Sequence, residues 1–297
     1  MEVIAFIKEM FATFMILLSM LSPALNNGGV AFEAENPDKL ITSFAVVSDI
    51  HIETNNSESY DNLDKVLKGI KAGKNIDTVV YTGDNVMNGQ ITENLFFYSA
   101  IKAAKPAKNN LVVVGNHDLG NGAGNHDSSA RDFIANNSLF IGNKIDKPYY
   151  YRVINGCYMI CLATEVGDPS RFEVGDEQYA WLEGVLKEAK AAGAPTFVFA
   201  HYPIRDISKG GAEFAKLLEE YDVALYAHGH YHNDMVANSF YNWGGINSVN
   251  LPRVTETTNY EAGDGIVVEV YEDEIVVKGR DFIKGEWIEG LDYRYAL

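Results

Sequence analysis

Five short segments of the 297-residue chain set aspartate, asparagine or histidine directly behind an apolar run. They are Asp49 and His51 after Ala45–Val47, Asp84 after Val79–Tyr81, Asn116 and His117 after Leu111–Val114, His201 after Thr196–Ala200, and His230 and His232 after Val223–Ala227. Residues i and i+2 of an extended chain point the same way, so Asp49 and His51 can meet one ion. Together Asp49, His51, Asp84, Asn116, His201, His230 and His232 form a mixed oxygen and nitrogen set that suits Mn, Fe or Zn. The set is larger than one ion needs and matches two ions that share one carboxylate. Taken singly, each segment has a plain structural explanation: Gly83-Asp84 is also turn chemistry, and a single histidine behind a strand is commonly structural. Their recurrence in order, each behind an apolar run, is what carries the signal. Gly83, Gly115 and Gly229 beside them let the backbone bend sharply.

What must position these residues is an alternation of strands and helices. Ile41–Val47, Ile76–Tyr81, Leu111–Val114, Thr196–Ala200 and Val223–Ala227 read as buried strands. Leu63, Val66, Leu67 and Ile70 fall on one helical face, which Gly73 can end. A second helix is expected around residues 93–105, stopped by Pro106. Asp176 is expected to cap a third, with Leu182, Val185, Leu186 and Ala189 inward and an end near Gly193. Phe214, Leu217, Leu218 and Tyr221 mark another. Asn155-Gly156 between Tyr149–Ile154 and Cys157–Ala163 is a two-residue hairpin signal. Gly265–Tyr271 and Ile275–Lys278 read as a terminal hairpin. The class is therefore α/β, and the C-terminal strands suggest a second sheet packed on the first. In such sheets ligand sites form at the carboxyl ends of strands, where all five segments fall.

This order of motifs resembles the calcineurin-like metallophosphoesterase superfamily, over roughly residues 44–232 with the β-rich tail included. The resemblance implies a four-layer α-β-β-α sandwich, two packed mixed β-sheets flanked by helices, as one domain over residues 40–297. It implies that Asp49, His51 and His232 hold a first ion, that Asn116, His201 and His230 hold a second, and that Asp84 bridges them. It makes His117 a residue that faces substrate, as general acid or phosphate contact, with Asp118 orienting it. Two cations about 3.5–4 Å apart lower the pKa of a bridging water, so that hydroxide attacks phosphorus near neutral pH. A histidine can then protonate the leaving alkoxide.

Departures from the pattern narrow the substrate. Protein phosphatases of the superfamily carry Gly-Asp-x-x-Asp-Arg-Gly at the second motif, where this chain has Gly83-Asp84-Asn85-Val86-Met87-Asn88-Gly89. Met87 stands where purple acid phosphatases have a tyrosine. The chain ends too soon for the large substrate domain of secreted nucleotidases. The remaining likeness is to small single-domain phosphoesterases, with a diester slightly favoured over a monoester. Two alternatives are a broad phosphomonoesterase that scavenges phosphate and a non-catalytic, metal-stabilised binding protein. Trp181, Trp243, Tyr202 and Tyr231 are candidate stacking surfaces for a base, although Trp181 also suits a core position. Arg131, Arg152, Arg171 and Arg205 are candidate phosphate contacts. Gly124-Asn125-His126-Asp127 repeats Gly115–Asp118 but follows no strand. His126 is therefore a candidate for the substrate mouth, ahead of a helix capped by Asp127 or Ser128. His228 reads as a supporting or core residue.

Lys and Arg total 24 against 41 Asp and Glu, a formal charge of −17 that disfavours a grip on nucleic acid. A small phosphorylated substrate stays open, because metal ions supply positive charge locally. Residues 10–25 are nearly all apolar and lead into small residues, the layout of a signal peptide. Residues 1–31 are therefore expected to be a signal peptide or N-terminal anchor, cleaved after Ala31 or Ala24, and the protein to be secreted or held at the cell surface. The run falls short of the roughly 20 apolar residues of a membrane span. Cys157 and Cys161 share one strand face about 13 Å apart, beyond disulfide reach, and read as buried thiols.

Overall fold

Twelve strands form two sheets, and the alternation of their side chains explains why the sheets stack. The computed structural model describes residues 29–120, 126–165, 171–207, 210–254 and 262–297. The first sheet contains β1 (Thr42–Val47), β2 (Ile76–Thr82), β3 (Asn109–Val113), β10 (Asp264–Val270), β11 (Glu274–Asp281) and β12 (Glu286–Ala296), in the order β12-β11-β10-β1-β2-β3. The second contains β4 (Tyr150–Ile154), β5 (Cys157–Cys161), β6 (Thr196–Phe199), β7 (Val223–His228), β8 (Phe240–Trp243) and β9 (Ile246–Asn250), in the order β4-β5-β6-β7-β9-β8. Strands β1, β2 and β3 run parallel, as do β5, β6, β7 and β9, while the outer strands pair antiparallel. Both sheets are thus mixed, as expected.

Period-two burial builds the layers. Phe44 and Val46 of β1 face Cys157, Met159, Phe197 and Phe199 in the core between the sheets. Phe44 meets Phe197 and Phe199 edge-on at 5.0 and 5.8 Å. Ala45 and Val47 face the other way, against Leu63, Val66 and Ile70 of α1 (Ser57–Lys71) and Phe97 of α2 (Ile91–Ala104). On the far side, Ile160 and Val198 meet Leu182, Val185 and Leu186 of α4 (Asp176–Ala191) and Phe214 and Leu218 of α5 (Gly211–Glu220). Helix α3 (His126–Asn136) continues into one π-helical turn, Asn137–Ile141. The side chains of residues 126–128, and with them the roles expected of His126, Asp127 and Ser128, lie outside the described residues. Both cysteines are free and buried.

Two local expectations need correction. Asp176 is not the cap of α4: Gly175 holds that position and Asp176 is the first helical residue. Its charge still suits the positive end of the helix dipole. Strands β8, β9 and β12 were not anticipated. Gly244-Gly245, with φ of 59° and 90°, turns β8 into β9. Strand β12 is a largely exposed edge whose sequence lacks an apolar run. By contrast, Asn155 and Gly156, at φ 49° and 83°, form the expected tight turn.

The domain reaches further toward the N-terminus than residue 40. The Val30 carbonyl accepts a hydrogen bond from Arg280, whose guanidinium lies 3.9 Å from the Phe32 ring centroid. Glu35 pairs with Lys278 at 3.3 Å. Cleavage after Ala31 would remove Val30 from this contact, whereas cleavage after Ala24 would keep it. Residues 1–28, which include the apolar run at 10–25, lie outside the described residues. Among the described residues no helix is long and apolar enough to cross a membrane.

Candidate metal centre

All five histidine and carboxylate segments emerge on one rim, because their strands are parallel and end together. The loops after β1 and β2 are laced by Asp49 N–H to the Gly83 carbonyl, His51 N–H to Asp84 and Ile52 N–H to Asn85. The turns there are tight. Eight described non-glycine residues have positive φ, and five of them are Asp49, His51, Asp84, His230 and His232. Left-handed backbone in such residues costs on the order of 1 kcal/mol or more each, and persists only where the surroundings enforce it. The strain is concentrated at the rim; Lys105, Asn155 and Asp222, which complete the eight, sit at helix ends or turns.

Backbone donors aim the carboxylates. Asp84 accepts from the His117 N–H through Oδ1 at 2.9 Å. Its other oxygen faces His201 Nε2 at 3.1 Å and His51 Nε2 at 3.8 Å. Asp49 accepts from the His230 N–H through Oδ2 and faces His232 Nε2 at 2.9 Å and His51 Nε2 at 3.7 Å through Oδ1. Asp49, His51, Asp84 and His232 form one group of potential ligands, and Asp84, His201 and His230 a second, each with ligand atoms within 4.8 Å of one another. Asp84 stands in both. Asn116 is buried, and its Oδ1 accepts from the Tyr202 hydroxyl at 3.0 Å. The Tyr202 ring in turn lies 4.2 Å from that of His230 and 5.2 Å from that of His201, so Asn116 belongs beside the second group.

The donor set fits two cations. His51 and His232 bring their Nε2 atoms to 3.0 Å, both facing one Asp49 oxygen. Two ring lone pairs that close repel unless a proton or a metal ion lies between them. His201 donates Nδ1–H to the Thr82 carbonyl, which leaves Nε2 for the site. Burial opposes every charge here, yet the histidines hold Asp49 well below the usual carboxylate range and Asp84 at about 2. Burial likewise opposes a charge on His201, but Asp84 and Asp49 push it up to about 9, while burial, with His201 adding to it, takes His230 down to about 4. The rim therefore carries two ionised carboxylates ready for cations.

His117 and Asp118 do not pair as expected. Asp118 accepts from the N–H groups of Gly115, Asn85 and Val86 and from Asn85 Nδ2, which ties the Asp84 loop to the Asn116 loop. Burial and the Asp84 charge push its carboxyl up to about 7 against these donors. The chain turns at residues 116–120, so Asp118 points inward and His117 outward. It is the Met87 carbonyl, 2.6 Å away, that accepts Nδ1–H of His117 and leaves Nε2 facing Asp84 at 4.0 Å.

Other expectations sort themselves by burial. His228 is fully buried against the Tyr241 hydroxyl and serves as a supporting residue. Tyr202 lies beneath the site, not at its mouth, because it is only 1% exposed and stacks on Phe172. Arg205 covers the Tyr231 ring at 4.8 Å. Trp181 packs on Tyr149. Arg152 lies over the Tyr150 ring, and Arg171 pairs with Glu173. One residue at the rim was missed. Arg253 follows β9, its backbone pairs with that of Ser48, the neighbour of Asp49, and its charge is felt by Asp49 and Asp84. The rule that ligands gather at strand ends would have found it had β9 been recognised.

Residues 42–234 match the model of the calcineurin-like phosphoesterase family. The chain belongs to that family. Among curated proteins none matches the sequence. The fold of this calcineurin-like phosphoesterase is similar to a purple acid phosphatase from yellow lupin seeds (TM-score 0.62, 16% identity, 86% of this chain and 53% of that one). It is also similar to a dimetal phosphatase from Danio rerio (TM-score 0.61, 16% identity, 86% and 99%). A third likeness is to the anchor protein GAP50 of the Plasmodium inner membrane complex (TM-score 0.54, 15% identity, 86% and 88%). The chain thus spans about half the length of the lupin enzyme.

The close approach at Gly229 gives a direct test of the site as a metal centre. A Cβ there would overlap Ser48 Oγ and Asp49 Oδ2, whereas one at Gly184 meets nothing within 4 Å. Gly229→Ala is expected to weaken metal retention roughly 10–100-fold, as loss of ligand orientation does elsewhere. Gly184→Ala should retain metal normally, and equal metal content in the two variants would show that the Asp49 loop tolerates displacement.

Proposed function

We propose that this calcineurin-like phosphoesterase hydrolyses a phosphoester at a dinuclear metal centre. Asp49, His51 and His232 would hold one ion, Asn116, His201 and His230 the other, and Asp84 both. The observation that carries the reading is the position of Asp84, whose Oδ2 faces histidines of both groups. Bound there, the ions would supply the attacking hydroxide and neutralise charge on the phosphoryl oxygens. The chain's own residues do the rest. His117, with Nδ1 held by Met87, presents Nε2 to the leaving oxygen and protonates it as the ester bond breaks. Asp118 keeps the two loops that carry Asp84, Asn116 and His117 in register. A non-catalytic, metal-stabilised protein would not need His117 held in this attitude, with Nε2 turned toward Asp84.

The substrate class is a small phosphorylated compound, with bis-(p-nitrophenyl) phosphate and p-nitrophenyl phosphate as diester and monoester probes. The sequence leans slightly to the diester; a phosphate-scavenging monoesterase is the second reading, favoured by the arginine beside Asp49. The apolar run at residues 10–25 supports an extracytoplasmic location. Chelated protein should lose turnover by more than about a hundredfold and regain it with Mn, Zn or Fe, since the ions supply several kcal/mol of the barrier reduction. Turnover that survives complete chelation, verified by elemental analysis, would overturn the proposal.

A further inference from the structure

Strand β9 runs parallel to β7, with His228 opposite Asn250, so the segment after it returns to the metal rim. Leu251 N–H donates to the His228 carbonyl at 2.7 Å, and Val254 N–H donates to the Ser48 carbonyl at 3.2 Å. Between them the backbone of Arg253 pairs with that of Ser48 in an isolated parallel β-bridge, one residue before Asp49. Arg253 is half-buried, and its charge is felt by Asp49, Asp84 and Glu53 and opposes a proton on His51.

A guanidinium has donors but no acceptor, so it cannot ligate a metal. Placed beside a cluster that collects cations, it repels them. Such a cation gains a favourable role when an anion enters the same space. A terminal phosphoryl group offers three non-bridging oxygens and up to two negative charges; a diester offers two and one. The additional oxygen and charge are what an additional cation in the pocket can bind, and the fork of a guanidinium matches phosphoryl geometry.

We propose that Arg253 contacts a non-bridging oxygen of the substrate and selects terminal phosphoryl groups, that is, phosphomonoesters, at this site. The inference rests on the phosphoester reading of the centre, and within that reading it takes the monoester over the diester to which the sequence leans slightly. Its test compares wild type with Arg253→Met, which keeps much of the side-chain length without charge, and with Arg253→Lys. Three quantities are read: metal content, the affinity for inorganic phosphate by calorimetry on metal-loaded protein, and kcat/KM on the monoester and diester probes. Expected for Arg253→Met are undiminished metal content and at least about tenfold weaker phosphate binding, the scale of a lost charged hydrogen bond. The monoester kcat/KM should fall by a similar factor, with little change on the diester, and Arg253→Lys should recover part of the loss. Unchanged phosphate affinity, or equal losses on the two esters, overturns it. If wild type binds phosphate but turns over neither ester, the hydrolytic reading fails while the phosphate measurement still decides Arg253. A variant that loses metal and thermal stability together would mark Arg253 as a structural counter-charge to Asp49, and so refute the proposal.

Discussion

Asp84→Ala should remove more bound metal than any other single substitution and lower turnover by more than about a thousandfold. The reason is geometric. Asp84 is the one residue common to both ligand groups, with Oδ1 fixed by His117 N–H and Oδ2 facing both sets of imidazoles. Losing it would remove a ligand from each ion at once, and at 1.36 kcal/mol per tenfold a loss of about 4 kcal/mol gives the thousandfold figure. Asp84→Asn serves as the companion variant. It keeps an acceptor for the His117 N–H, so the loop stays folded, but removes the negative charge that two cations share. Elemental analysis after dialysis should find both variants depleted, with Asp49→Asn retaining more metal than Asp84→Asn. Wild-type metal content in Asp84→Ala would refute the bridging role.

His117→Ala should do the opposite: keep its metal and lose turnover by about 10²–10⁴-fold, the usual range for a removed general acid. The His117 ring is held by the Met87 carbonyl and belongs to neither ligand group, although Nε2 lies 4.0 Å from Asp84 and the ring 4.7 Å from that of His51, so its removal takes away no ion ligand. The loss should depend on the leaving group. An ester of an acidic phenol needs no proton and should suffer least; an alkyl ester should suffer most. Measured over a series of leaving groups, the slope of log kcat against leaving-group pKa should steepen in the variant. Parallel slopes would assign His117 to phosphate binding instead of proton transfer. In either case Asp118 is not its partner. Substitution of Asp118 should act through the Asn85–Val86 loop, and so on metal retention, because that is where its hydrogen bonds go.

The two effects separate what holds the ions from what moves protons, and backbone strain points to the same division. Among the described residues, five of the eight strained non-glycine positions are proposed metal ligands, whereas His117 and Asp118 are not among the eight. Strain at ligand positions costs stability in the chain and is offset where bound cations reward the conformation.

Much of this was readable in the sequence. The parallel strands announced themselves as apolar runs, because strands buried on both faces leave no polar alternation to obscure them. Each run ended in a residue type with lone pairs, and parallel strands necessarily bring those ends to one rim. Asn155-Gly156 was legible because a two-residue turn of that kind demands positive φ at both positions. That the two thiols stay unpaired followed from their spacing along one strand. Strand β12 was not legible, since an exposed edge is written in mixed residues that resemble loops.

The amino-acid order by itself determined the α/β alternation and the positions where potential ligands gather, because these depend on residue type and on period-two or helical spacing, and the order of its motifs carried the resemblance that implied the family and its layers. Only the tertiary structure decided which groups touch. It turned Asp118 away from His117 and put the Met87 carbonyl in its place, it buried Tyr202 under Asn116, and it carried Arg253 from beyond β9 to the side of Asp49. These outcomes depend on where loops of unrelated sequence meet in space, and such meetings are set by strand order and register, which no local spacing encodes.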